Sequence, residues 1–195
     1  DANGISYFNL LDINSLGSIE ILKGPSGSIY GSGIGGVILL ENKTAKVLNK
    51  KRNTLSFNTH LGSYNTQNRS VSFSSASEKV NTYLAYSHAG TDGYRDHSEL
   101  RRDVLNYRTS LFLTDKYTIN FIGSYADLNY QTPGGLNIDQ KENNPRDARL
   151  ATRFTASSQE QKAAIHQKVL SIGVSQEFKY NDRVSSVLSF FGNGS

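Results

Sequence analysis

Residues 31 to 36, Gly31-Ser32-Gly33-Ile34-Gly35-Gly36, satisfy the G-x-G-x-x-G spacing that cradles a dinucleotide pyrophosphate. That chemistry needs a strand before the glycines and a helix after them, because the helix N-terminus receives the phosphate. Here the glycines lead into Val37-Ile38-Leu39-Leu40, a β-branched apolar run that reads as a strand. No acidic residue occupies the ribose position of a following second strand, and no Gly-Lys-Ser/Thr of a Walker loop occurs. The glycines therefore read as tight turns between two strands, at backbone angles or distances that other residues cannot adopt.

The four histidines, at 60, 88, 97 and 166, have neither i, i+4 nor H-E-x-x-H spacing, so they read as solvated residues and not as a metal site. No Ser/His/Asp arrangement has a motif around it, and no nucleophile elbow stands in a strand-to-helix setting. The sequence reads as that of a protein without catalytic residues or a resident cofactor. What remains are two segments rich in Arg and Tyr. One holds Tyr94, Arg95, His97, Arg101 and Arg102; the other holds Tyr130, Gln140, Arg146, Arg149 and Arg153. Arginine supplies planar, charge-assisted donors, and tyrosine supplies an apolar ring with a hydroxyl. Both suit a ligand that is anionic or rich in oxygen acceptors. The competing role of such charges is contact with water or with lipid phosphates.

The elements that must position these residues follow from composition and pattern. Apolar residues make up 36% of the 195-residue chain, less than a packed globular core uses, while Ser, Asn, Thr, Tyr and Gly abound. The absence of cysteine excludes a disulfide framework and a thiolate metal site. A net charge of +4, spread along the chain, is too small to imply nucleic acid. No apolar run approaches the length of a transmembrane helix. The first residues lack the basic start and apolar centre of a signal peptide. The chain stops within a strand-like run, so the sequence reads as a piece cut at both ends.

Residues 1–48 read as a strand (Ser18–Leu22), a short helical turn (Pro25–Tyr30), a glycine loop and a second strand (Val37–Glu41), closed by a Lys-rich breaker. From residue 49 on, segments of about ten residues alternate in polarity between turn signals. Seven such runs start near Leu55, Arg69, Val80, Val104, Tyr117, Val169 and Val184. Tyr117, Ile119, Phe121 and Tyr125 share one face against Thr118, Asn120 and Ser124, with Ile122 out of pattern. Tight turns follow the second, fourth and sixth runs. Long connections, roughly Gly90–Asp103 and Thr132–Lys168, follow the third and fifth, while the short Ser63–Thr66 link after the first breaks this rule. Short turns on one side, long loops on the other and strands of about ten residues are the pattern of an outer-membrane barrel. A soluble sandwich also alternates, but so long a connection is uncommon in one.

The stretch SIEILKGPSGSIYGSGIGGVILLENKT resembles the end of the plug domain of TonB-dependent outer-membrane receptors. Glu20, Lys23, Gly24, Pro25, Tyr30, Gly31, Gly33, Gly35 and Gly36 lie on that motif, with Lys23 where the family usually has Arg; Lys keeps the charge and loses the bidentate fork. The Gly62–Thr66, Asp92–His97 and Tyr130–Arg146 stretches resemble the family's first hairpin and its second and third extracellular loops, the last in the ferric-siderophore and ferric-citrate branch. The resemblance implies a mainly β protein: a transmembrane antiparallel β-barrel of 22 strands closed around a plug. About seven of those strands would lie here, with plug at 1–48 and barrel at 49–195. It also implies a monomer in the outer membrane of a Gram-negative bacterium, among lipid and lipopolysaccharide, that takes up ferric siderophores or other iron complexes. A periplasmic TonB protein would supply the energy. Cobalamin or oligosaccharide import, and a non-coupled porin or adhesin, are the alternatives.

Overall fold

The computed structural model describes residues 8–24, 35–45 and 51–195. Two short 3-10 turns, Phe8–Leu10 and Ile13–Ser15, precede a hairpin of β1 (Leu16–Lys23) and β2 (Gly36–Asn42). The seven remaining strands are β3 (Arg52–Gly62), β4 (Thr66–Ala76), β5 (Val80–Thr91), β6 (Leu100–Thr114), β7 (Tyr117–Gln131), β8 (Ala164–Asn181) and β9 (Val184–Gly194). A capped helix, α1 (Ile138–Asn143), the one α-helix among the described residues, lies between β7 and β8. Among the described residues there is no helix long and apolar enough to cross a membrane, which says nothing of strands.

The chain is mainly β, and every strand pairing among the described residues is antiparallel. β1 pairs with β2, and β3 to β9 form one sheet in which every strand pairs with its neighbour in sequence. Short tight links make this order the natural one, since an antiparallel neighbour can be reached by a two-residue turn. The helical turn expected at Pro25–Tyr30, Gly31 and Gly33, and the boundary near residue 48, lie outside the described residues. The expected strand after the glycines is present as β2. Gly36 adopts φ +133°, and a Cβ there would run into the Leu22 carbonyl oxygen on the paired strand. The glycine serves close strand pairing, as the sequence predicts.

The register divides the large sheet into two unlike faces. One cross-strand row reads Phe57, Val71, Tyr86, Leu105, Tyr125, Leu170. The row one residue away, on the opposite face, reads Ser56, Ser72, Ala85, Asn106, Ser124, Ser171. In further rows Leu55, Phe73, Leu84 and Tyr107 align on the apolar face, and Asn58, Ser70 and Ser87 on the other, in a row that turns apolar at Val104, Ala126 and Val169. Period-2 alternation held in register across strands makes this unavoidable, since side chains at i and i+2 share a face.

Burial is inverted relative to a soluble β-protein. Most buried residues of the sheet lie on the polar face, among them Ser70, Ser87 and Asn106 together with Val104 and Leu128, and Thr109 is an exception on the apolar face, whereas Leu55, Phe57, Leu84, Leu105, Tyr107, Ile172 and Phe190 on that apolar face are exposed. The N-terminal segment packs on the polar face. The Asn106 amide donates to Ser15 Oγ (3.2 Å) and accepts from Ser124 Oγ (3.0 Å), and Ser15 Oγ donates to the Asp12 carbonyl (2.7 Å). The Asn81 amide donates to the Ala45 carbonyl at 2.7 Å. Ile122, the residue out of pattern, sits on the polar face opposite Gly173. A Cβ on Gly173 would stand 3.0 Å from Ile122 Cγ1, so the glycine makes the room that the misplaced isoleucine needs.

Candidate ligand-binding site at the loop end

The Ser63–Thr66 turn and the β5–β6 and β7–β8 connections emerge at one end of the sheet, and the turns at residues 77–79, 115–116 and 182–183 at the other. The short first link therefore belongs with the long loops. It turns within two residues because Tyr64 and Asn65 adopt φ +58° and +53°, the left-handed pair that matches strand twist.

These connections are tied to one another by backbone. Asp92 N–H donates to the Tyr64 carbonyl (2.9 Å) and Asp96 N–H to the Arg146 carbonyl (2.7 Å). Arg149 N–H donates to the Pro133 carbonyl (2.7 Å), which folds the β7–β8 loop on itself. Gly134, at φ +74°, sits where a Cβ would stand 2.8 Å from Arg149 Cβ and 2.9 Å from Ser158 Oγ. The helix α1 starts with a capping box: Asn137 Oδ1 accepts from Gln140 N–H (2.8 Å), and Gln140 Oε1 accepts from Asn137 N–H (3.1 Å).

The ten residues of the two Arg- and Tyr-rich segments divide by what holds them, Arg153 lying 5.7 Å from the Phe154 ring centroid. Arg95 is spent on structure. Its Nε and Nη2 donate to the Asp147 carbonyl (3.0 and 2.8 Å) and its Nη1 to the Gly134 carbonyl (2.8 Å), so it staples the two long loops together. His97 holds Nε2 at 2.8 Å from the Ala163 carbonyl. Gln140 caps its helix, and Arg149 Nη2 donates to the Ala156 carbonyl at 3.0 Å. Arg101 and Arg102 are neighbours on β6 and point to opposite faces. Arg101 stands on the apolar side, above the aromatic row, and lines an open crevice of about 420 Å³ with Gln67, His88 and Asn129. Arg102 stands on the polar side, where Nη1 donates to the Leu11 carbonyl (2.6 Å). Tyr130 is half-buried near the end of β7, between Leu100 and Ile165.

Tyr94 and Arg146 meet in the open. The Arg146 guanidinium lies 5.9 Å from the Tyr94 ring centroid and 5.7 Å from that of Tyr64, while the two rings meet edge to face at 5.5 Å. The cluster is solvent-accessible, and apart from one long contact, Nε to the Tyr94 carbonyl at 3.3 Å, the Arg146 donors are uncommitted among the described residues. A guanidinium pinned by two rings, with its edge free, is a preorganised donor for carboxylate, catecholate or phosphate oxygens. Tyr64 was not visible as a site residue in the sequence. Its signal, a tyrosine inside a two-residue turn, reads as turn chemistry until the loops are seen to converge on it.

Elsewhere in the loop, Glu160 accepts from the Ser157 N–H (2.8 Å) and its hydroxyl (2.9 Å), and these donors hold its carboxyl below the usual glutamate range. Among the described residues no group of three His, Asp or Glu converges as a metal site would require. On the apolar side, the row beyond Tyr86 and Tyr125 is charged: Arg69, His88, Asp103, Asp127 and Lys168 lie side by side across five strands. His88 pairs with Asp103 (2.8 Å), and Asp127 with His166 (3.0 Å) and Lys168 (3.4 Å). No protein-family model matches the chain.

Proposed function

We propose that the seven-stranded sheet is part of the wall of an outer-membrane β-barrel, and that the β1–β2 hairpin is part of a plug inside it. On this reading the protein is an energy-coupled importer of ferric siderophores or related iron complexes. The observation that carries the reading is the inverted sheet. Its apolar face is exposed and bounded by tyrosines and then charges, while its polar face receives the N-terminal segment. A soluble sheet buries the first and wets the second. A barrel wall does the reverse, meeting hydrocarbon outside and a polar lumen within. The motif around Glu20, Lys23, Gly24 and Gly35-Gly36 supports the plug assignment, and the converging loops with Arg146 between two tyrosines support capture of an oxygen-rich anion.

The corresponding partners are a periplasmic TonB protein, outer-membrane lipid and lipopolysaccharide. The test is equilibrium binding to the full-length protein in detergent, with ferric citrate, several ferric siderophores, cobalamin and oligosaccharides as probes. The reading expects a dissociation constant below about 1 μM, roughly −8 kcal/mol, for one ferric complex and not for its iron-free form. Arg146→Ala should weaken that binding by about tenfold. Tight binding of cobalamin or a glycan alone would overturn the iron assignment, and no binding at all would return the porin or adhesin alternative.

A further inference from the structure

Between the hairpin and the polar face of the sheet lies a cavity of about 680 Å³, at the end remote from the loops. Its lining includes Glu41 and Lys43 from the end of β2, Ser72 and Ser74 from β4, Tyr83 from β5 and Arg108 from β6. Tyr83 and Arg108 are direct cross-strand partners. Tyr83 is 4% exposed, and among the described residues its hydroxyl makes no hydrogen bond of ordinary geometry, the Ser72 hydroxyl being the side chain close enough to act on it. Arg108 Nε is buried and likewise unpartnered, and no carboxylate among the described residues lies within ion-pair distance of its guanidinium. Lys43 Nζ donates to the Asn14 carbonyl (2.8 Å), and Glu41 is engaged by Ser18 Oγ (3.0 Å).

Burying a donor without an acceptor costs stability, more so when the donor is charged. Both side chains, on adjacent strands, line one polar cavity, with these unpartnered atoms buried beneath its surface. We propose that this cavity is a binding site for an oxyanion, a carboxylate or phosphate group carried by a solute, held by Arg108 and the Tyr83 hydroxyl with Lys43 opposite. Arg108 supplies a planar pair of donors and Tyr83 a hydroxyl proton, the combination that carboxylate recognition uses. Glu41, tied to Ser18, closes the far side and disfavours a second negative group there.

The height of the site gives it a place in transport. Tyr83 is the fourth residue of β5, and Thr91 at the loop end is eight residues further, roughly 26 Å along the strand. The Tyr94–Arg146 cluster and this cavity are thus two stations at opposite ends of the same sheet. The existence of the site rests on the cavity alone. Its role as an exit-side stop for the transported anion rests on the importer reading.

The experiment is fluorine NMR on the full-length protein carrying 3-fluorotyrosine, with the Tyr83 resonance assigned through Tyr83→Phe. Citrate is the probe, and sodium chloride at equal ionic strength is the control. The Tyr83 signal should shift saturably with citrate and not with chloride. The half-saturation concentration should rise at least tenfold in Arg108→Gln and recover in part in Arg108→Lys, which keeps the charge. Lys43→Gln provides a second variant, with a smaller rise, should Arg108→Gln fail to fold. An unmoved signal at tens of millimolar citrate, a shift that chloride reproduces, or one unchanged in Arg108→Gln or Lys43→Gln would overturn the assignment. Capture of ferric complexes is scored separately by wild-type affinity, so either reading can fail alone.

Discussion

Replacing Phe121 by arginine tests whether the apolar face of the sheet meets lipid, as the proposed barrel requires. Phe121 lies on the apolar face, between Thr109 and Val174 on the adjoining strands. Asp127, in the charged row, is six residues further along β7, and Tyr117 is four residues back. At about 3.3 Å per residue and a tilt near 45°, the charged row stands roughly 14 Å above Phe121 along the membrane normal. An apolar band about 25 Å tall has its midplane about 12 Å below its upper edge, so Phe121 belongs at mid-depth. A charge there should cost about 2–4 kcal/mol, and Val174→Arg, its direct neighbour, should cost a similar amount. Ser175→Arg, one residue away on the polar face, should stay within about 1 kcal/mol because its side chain meets the wet interior. The assay is equilibrium urea unfolding of the full-length protein in phospholipid vesicles. On a soluble sheet the outcome differs, since Phe121 is already 39% exposed and surface substitutions usually stay within about 0.5 kcal/mol. A Phe121→Arg variant as stable as wild type, or one matched by Ser175→Arg, would refute the facing argument and the membrane reading with it.

The loop staple is open to test by Arg95→Lys, which keeps charge and loses the three-point fork to Asp147 and Gly134. Amide exchange in residues 132–149 should accelerate by tenfold or more while the strands stay protected, and unchanged exchange would show that backbone bonds alone hold the loops. Gly134→Ala should loosen the same loop through both its positive φ and the contact with Arg149, read as faster amide exchange at Arg149. The Ser157–Glu160 contact is pH-dependent. Its acceptor is depressed in the folded loop, so its contribution is full above the usual glutamate range and is lost as pH falls through the lowered folded value. Protection of the Ser157 amide should decline in that acidic window and hold steady above it, and a flat profile through the window would rule the contact out.

The strands were legible where one face is apolar and the other polar. β3, β4, β5, β7 and β9 begin within a few residues of the positions read from alternation. β6 and β8 begin earlier, at Leu100 and Ala164, and not near Val104 and Val169. Most of the missed residues, Arg101, Arg102, Asp103, His166, Gln167 and Lys168, are charged or polar on both faces, and Leu100, Ala164 and Ile165 are the exceptions. On the barrel reading the outward side has left the apolar band there, so alternation vanishes while pairing continues. Pairing is a property of two strands, and one strand's sequence does not contain it. The site was legible as a composition of loop residues and not as a geometry. Arg95 and Arg146 are alike in sequence, yet one closes on carbonyls and the other stays open, and only the convergence of three loops decides which.

In the proposed barrel, the row from Arg69 to Lys168 has a mechanical meaning. A shift of the sheet by two residues inward would carry Asp103 and Asp127 below the polar boundary, where each charge costs several kcal/mol. The same shift outward would lift the Tyr86 and Tyr125 rings off the interface where aromatic side chains rest. On that reading the free energy rises on both sides, so the sheet would float at one draught, as a hull does. The loops and the deep cavity are fixed to that hull, and the distance from the membrane surface to each is therefore set by a line of ordinary charges that touches neither.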